Sequence, residues 1–160
     1  MRHPSPISTD HHLADRAAIG DVLDDYAEAV DARDWTSLAA LFADEAILDY
    51  TASGGPRGGR DEVLAWIRSA LPAVLLTQHL LVNRRIRVHG DEATARTQLL
   101  NPLILGAGET PQLFLLGGHY DDRLTRTGHG WRIVERVHRV AWTAGPVPAQ
   151  VPTSTNGPEG

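Results

Sequence analysis

Two tight turn signals, His89-Gly90-Asp91 and Gly128-His129-Gly130, set the firmest limit on how this chain can fold. Each lies between long stretches of alternating apolar and polar residues, the pattern of strands joined as hairpins. Strands are predicted over about 77–88, 92–105, 111–127 and 130–142, with the loop 106–110 making the remaining connection. Connections this short join antiparallel neighbours. The second half of the chain is therefore read as one long antiparallel meander.

The first half has a different period. Ile19, Val22, Leu23, Tyr26 and Val30 recur at three- and four-residue spacing, which gives a helix over about 11–32 one apolar face. Ser8, Thr9 and Asp10 can each cap its start. Asp34 caps a short second helix over 35–42, and a strand over 46–51 follows. After the glycine-rich loop 54–59 comes a third helix, about 60–71, with Val63, Leu64, Ile67 and Leu71 on one face. Pro72 ends it. Three helices, one strand among them and then a meander predict an α+β fold. A curved, mostly antiparallel sheet packs as a cone-shaped barrel against the three N-terminal helices, and a cavity is the natural result. One domain is expected over 10–143. Residues 1–9 are expected to be disordered, and the Pro/Gly-rich stretch 144–160 to be a flexible tail.

Composition narrows the chemistry. The chain has no cysteine, which removes disulfides, thiolate metal sites and cysteine nucleophiles. The formal net charge is −5 and no basic stripe is present, so a nucleic-acid partner is not expected. No apolar run approaches the roughly 18 residues of a membrane helix. The N-terminus has no apolar core of a secretory signal, and a cytoplasmic setting is expected. Gly-x-Ser-x-Gly is absent, and the 54–59 loop lacks both phosphate-binding glycine patterns. His79, Asp31, Asp122 and His138 have the donor chemistry of a zinc or iron site. No local ligand spacing supports one, and neither metal nor cofactor is expected.

Four segments carry a wider likeness: Tyr26-Ala-Glu-Ala-Val-Asp31-Ala-Arg-Asp-Trp35, Leu48-Asp-Tyr50, Thr77-Gln-His79 and Gly130-Trp131-Arg-Ile. Over about residues 10–142 the chain resembles the SnoaL-like branch of the nuclear transport factor 2-like superfamily, and within it scytalone dehydratase and the bile-acid dehydratases. The resemblance implies that Asp31 on the first helix orients His79, and that Tyr50 polarises a substrate carbonyl through water. Val30, Leu103, Tyr120 and Asp122 stand where those families carry a tyrosine, a second histidine, a serine and an asparagine, which implies a relative with a different ligand. Family register turns Arg136, His138 and Val140 toward the cavity. The superfamily also holds isomerases, cyclases, epoxide hydrolases and proteins without catalysis. Its sheet faces commonly pair and its dehydratases often form trimers, so a homo-oligomer, dimer or trimer, is expected.

The residues themselves point the same way. Asp31 ends a helix, where the dipole disfavours a carboxylate, and a nearby imidazole would compensate. Alternation puts His79, Leu81 and Asn83 on one face. A buried histidine needs partners for both ring nitrogens. Asp31 on one of them would leave the other as an oriented general base. Tyr50 alternates with Leu48 and should face inward; Tyr26 lies on the apolar helix face, with packing as its first role. Phe114, Leu116, Gly118, Tyr120 and Asp122 share one face as a pocket wall, and His119 points to the other. His138 is a candidate second acid or base, and Asn101 may turn inward on a strand whose alternation is ambiguous. The expected activity is a cofactor-free, dehydratase-like lyase or isomerase acting on a small, largely apolar cyclic or polyketide-like carbonyl compound. His79, Asp31 and Tyr50 would be catalytic, with Tyr26, Asn101, Tyr120, Asp122 and His138 around the substrate. The alternatives are a cyclase or epoxide hydrolase, which would lean on Asp122 and His138 as acids, and a ligand-binding or dimerisation module without catalysis.

Overall fold

The computed structural model describes residues 9–106 and 110–146. The expected disorder over 1–8, most of the expected tail and residues 107–109 of the predicted loop lie outside the described residues. The elements in chain order are α1 (Thr9–Ala32), α2 (Trp35–Ala40), β1 (Phe42–Asp49), β2 (Arg57–Gly59), α3 (Arg60–Ala70), β3 (Val74–Thr77), β4 (Leu80–His89), β5 (Glu92–Leu105), β6 (Gln112–Thr127) and β7 (Gly130–Ala144). α1 therefore starts at Thr9 and β7 ends at Ala144, each one residue outside the expected domain. Among the described residues no helix is long and apolar enough to cross a membrane.

The strands form one curved, unclosed sheet in the order β2-β1-β7-β6-β5, with β3 and β4 following one another along the far edge of β5. All pairings are antiparallel except β1 with β7. Register shifts place extra residues in β4 and β7, and each extra residue bends the sheet. The helices cover the concave face. Ile19, Val22, Leu23, Tyr26, Ala29 and Val30 on α1 are all buried, as the spacing predicts. Val63, Leu64 and Ile67 bury the matching face of α3.

Several predicted boundaries move for local reasons. β1 starts at Phe42, not 46, so α2 stops at Ala40. Phe42 pairs with Ile133, and a register shift separates it from Ile47, so regular alternation begins only near Ala46. The predicted 77–88 strand is divided at Gln78 and His79. Opposite them stands Pro102, which has no N–H to give the ladder. Asn83 does not share the face of His79 and Leu81: it is exposed with φ 51°, a left-handed conformation that asparagine tolerates, where the register shifts between Val82 and Arg85.

The end of α1 is tied to the sheet edge. Arg33 leaves the helix with φ 59° and its guanidinium donates to the Val74 carbonyl at 2.6 Å and the Leu71 carbonyl at 3.4 Å. Arg84 on β4 donates to the Gly20 carbonyl at 3.1 Å and to the Asp24 carboxylate. These anchors bring the last turn of α1 against the β3–β4 edge, and with it Asp31.

Candidate active site

β3 and β4 keep one register against β5: Thr77 faces Leu103 and Leu80 faces Leu100, which puts His79 opposite Asn101. The Gln78 N–H donates to the Pro102 carbonyl at 3.2 Å, so the 78/102 positions form the hydrogen-bonded pair. The adjacent 79/101 positions are then a non-hydrogen-bonded pair, whose side chains approach closely. The His79 N–H points off the sheet edge, toward α1.

Asp31 meets it there. One carboxylate oxygen accepts the His79 backbone N–H at 2.7 Å, and the other accepts from His79 Nδ1 at 2.6 Å. Across the strand pair, Asn101 Nδ2 lies 3.2 Å from His79 Nε2, and the Thr77 hydroxyl donates to Asn101 Oδ1 at 2.9 Å. Three of these bonds run in one direction: Thr77 to Asn101, Asn101 to Nε2, Nδ1–H to Asp31. They fix neutral His79 as the Nδ1–H tautomer and leave the Nε2 lone pair facing Asn101. His79 and Asp31 therefore meet as expected, and Asn101, ambiguous by alternation, is buried beside them.

Next to this dyad lies a buried cluster of rings around a cation. The Tyr26 ring stands edge-on to the His79 imidazole, 6.1 Å between centroids, and its hydroxyl is 2.8 Å from the Tyr50 hydroxyl. Burial raises the Tyr50 and Tyr120 phenols well above their ordinary range, so both stay protonated donors. Arg136, fully buried, lies 4.0 Å from the Tyr26 ring centre and 4.2 Å from that of Tyr120. It is held by a bidentate pair with Asp122 at 2.7 and 2.9 Å. Burial works against the Arg136 charge, but the attraction and hydrogen bonds of the Asp122 carboxylate outweigh it and hold the guanidinium charged. Burial also lifts the Asp122 carboxyl above the ordinary range, with Arg136 opposing.

Asp122, expected beside the substrate, has both of its oxygens engaged by Arg136. His138 was a candidate acid or base. It is buried beside Tyr50 and Tyr120, at 5.4 and 5.1 Å between ring centres, and burial, then the Arg136 charge, lower its pKa to about 3 from the ordinary 6.5. It is neutral near pH 7, so an imidazolium acting as acid is not available there while the base role is left open. Family register turned Arg136 inward without making it a site residue. Its signal is the facing pair Asp122 and Arg136 on adjacent strands. Ser53, which contacts His138, was also missed.

Other positions behave as packing or surface. Tyr120 is buried, edge-on to Tyr26 at 5.5 Å. His119 sits on the outer face, 3.5 Å from Asp121. Arg96 pairs bidentately with Asp121 and Arg123 with Glu135 on that same face, where a cavity of about 440 Å³ lined by arginines contains neither member of the dyad. Among the described residues no three histidine, aspartate or glutamate side chains gather as a metal site.

Residues 11–137 match the SnoaL-like domain family. An uncharacterized protein of Mycobacterium tuberculosis is 37% identical over 125 residues, covering 78% of this chain and 84% of that protein. The hexachlorocyclohexane dehydrochlorinase LinA-type3 of Novosphingobium barchaimii superposes with a TM-score of 0.75 at 25% identity, over 87% of this chain and 94% of that one. A Novosphingobium aromaticivorans protein provisionally called a scytalone dehydratase shares the fold, with a TM-score of 0.78 at 22% identity over 94% of this chain and all of that one (100%).

Proposed function

This chain belongs to the SnoaL-like domain family, within the nuclear transport factor 2-like superfamily, and from that premise we propose that it is a cofactor-free lyase of the dehydratase type, acting on a small cyclic carbonyl compound. The observation that carries this reading is the two-point grip of Asp31 on His79, through Nδ1 at 2.6 Å and the backbone N–H at 2.7 Å. A ring held at two points keeps its tautomer and its aim, which is what a general base needs.

In this mechanism the substrate displaces the 3.2 Å contact of Asn101 and presents a C–H next to its carbonyl to His79 Nε2. The proton moves to Nε2, and Asp31 stabilises the imidazolium. Negative charge grows on the carbonyl oxygen, where the Tyr50 hydroxyl, linked to Tyr26, and the Arg136 cation supply fixed positive potential in a dry interior. The carbon–oxygen bond at the next carbon then breaks. The departing hydroxyl takes the proton back from His79 and leaves as water, and a carbon–carbon double bond forms. Return of the proton to another carbon instead gives isomerisation. Support also comes from the likeness to LinA-type3, a hexachlorocyclohexane dehydrochlorinase, at 25% identity. Cyclase or epoxide hydrolase chemistry has less support, since Asp122 is bound to Arg136 and His138 is neutral.

We place this enzyme in the cytoplasm as a homo-oligomer. Leu80, Leu100 and Trp142 remain exposed along one row of paired strands, an apolar strip suited to self-association; light scattering tests it. The activity is tested without knowing the substrate by following deuterium exchange next to the carbonyl of 2-tetralone in heavy water by NMR. His79→Ala is expected to slow the enzyme-dependent exchange by about 10²–10⁴-fold. An unchanged rate overturns the proposal.

A further inference from the structure

Ser53, in the single turn after Tyr50, spends its only hydroxyl hydrogen on the Tyr50 carbonyl at 3.0 Å. The same oxygen lies 3.0 Å from His138 Nδ1. With its hydrogen on that carbonyl the oxygen accepts from Nδ1–H, which makes neutral His138 the Nδ1–H tautomer; the hydrogen on Nδ1 instead would make it the Nε2–H tautomer. In the first arrangement Nε2 is a bare acceptor, and it is buried with no partner among the described residues. Two residues back on the same face of β7, Arg136 Nη1 is a buried donor with no partner among the described residues. The Tyr120 ring adjoins both side chains, 5.1 Å from the imidazole centre and 4.2 Å from the guanidinium carbon. Native interiors rarely leave such atoms unpaired.

We propose that His138 is a specificity-determining residue: its Nε2 accepts the hydrogen of a substrate hydroxyl, phenolic or alcoholic, while Arg136 Nη1 donates to a second oxygen of the same molecule. This rests on the reading above that the interior is the reaction site, and it narrows the substrate to a hydroxylated carbonyl compound. The hydroxyl read by His138 is one the product keeps. A leaving hydroxyl needs a proton delivered to its oxygen, and Nε2 has none to deliver. An acceptor at that hydroxyl pulls its hydrogen away and makes the carbon–oxygen bond harder to break. The residue therefore separates hydroxylated molecules from their ethers, halides and deoxy analogues, none of which can donate there.

The test compares 6-hydroxy-1-tetralone with 6-methoxy-1-tetralone, titrated calorimetrically into the full chain. The hydroxyl probe is expected to bind at least about tenfold tighter, because a buried acceptor left facing an ether loses its only partner. His138→Leu should abolish the preference, and His138→Gln, which restores an acceptor at about the Nε2 position, should regain part of it. In ¹⁵N NMR the wild-type Nε2 resonance should shift on adding the hydroxyl probe and stay unmoved with the ether, a readout independent of how the variants fold. Equal affinities, a preference that survives in His138→Leu, or no binding of either probe at millimolar concentration overturns the proposal. His79→Ala keeps the preference if His138 alone sets it. Loss of tetralone exchange chemistry with the hydroxyl preference intact would sink the lyase reading and leave this one standing.

Discussion

Replacing Asp122 by asparagine tests the interior electrostatics most directly. The Asp122–Arg136 pair is fully buried, and its two bonds of 2.7 and 2.9 Å use both carboxylate oxygens. An asparagine of the same shape can accept only one of them and turns an N–H toward the guanidinium at the other. The arginine stays charged with no counter-ion. Removing one partner of a buried pair costs about 3–5 kcal/mol. The faces of Tyr26 and Tyr120, at 4.0 and 4.2 Å, still attract the cation, so the lower end of that range applies, about 3 kcal/mol. In a domain of this size each kcal/mol moves the melting midpoint by about 2–4 °C, which gives a fall of about 6–12 °C. Calorimetry and urea unfolding both read it. The double variant Asp122→Asn, Arg136→Met should recover most of the loss, because it removes the stranded charge and keeps the volume. An Asp122→Asn protein within about 1 kcal/mol of wild type, or a double variant no more stable than the single one, refutes this account.

Asp31→Asn should lower tetralone exchange by about 10²–10⁴-fold, since an amide cannot accept from both His79 N–H groups and no longer fixes the ring. The same variant should lose only about 1 kcal/mol in urea unfolding, because Asp31 is partly exposed; an active variant contradicts the orienting role. The pH dependence of stability follows from His138. Its pKa is about 3 folded and 6.5 when free, so the unfolded chain binds a proton that the folded chain refuses between those values. This stability is fully present above pH 6.5 and is lost as pH falls, at up to about 1.4 kcal/mol per pH unit. Urea titrations of His138→Gln between pH 7 and pH 4 should show a flatter decline than wild type; parallel curves would argue against a buried neutral His138.

The legible parts of this molecule are those governed by a simple period. The apolar face of α1 repeats without interruption to Val30, so both the helix and the inward position of Tyr26 could be read from spacing. Asp31 follows at the helix end, where its charge called for a partner. What could not be read lies where a strand breaks its period. Counted straight from the Thr127–Gly130 pairing, Asp122 would face Glu135, a like-charge clash. The shift between Arg123 and Leu124 moves it onto Arg136. That one-residue offset turns a presumed ligand-binding carboxylate into half of a buried ion pair. Asn101 was named as a site residue, but its bond to His79 was not legible, since that depends on which strand pairs bond through the backbone. Ser53 lies in a turn with no period at all, and only the fold brings it to His138.

The backbone half of the Asp31 grip has a consequence beyond chemistry. β3 and β4 form an outer border of the sheet, and an unpaired N–H on such a border is an invitation to a strand from another chain. At His79 that invitation is withdrawn, because the carboxylate that aims the ring also occupies the backbone donor. One side chain thus closes the border at the point where it holds the ring. A chain that loses the Asp31 carboxylate frees that N–H and gives up part of its protection against intermolecular β-pairing at the same step, whatever the ring beside it does.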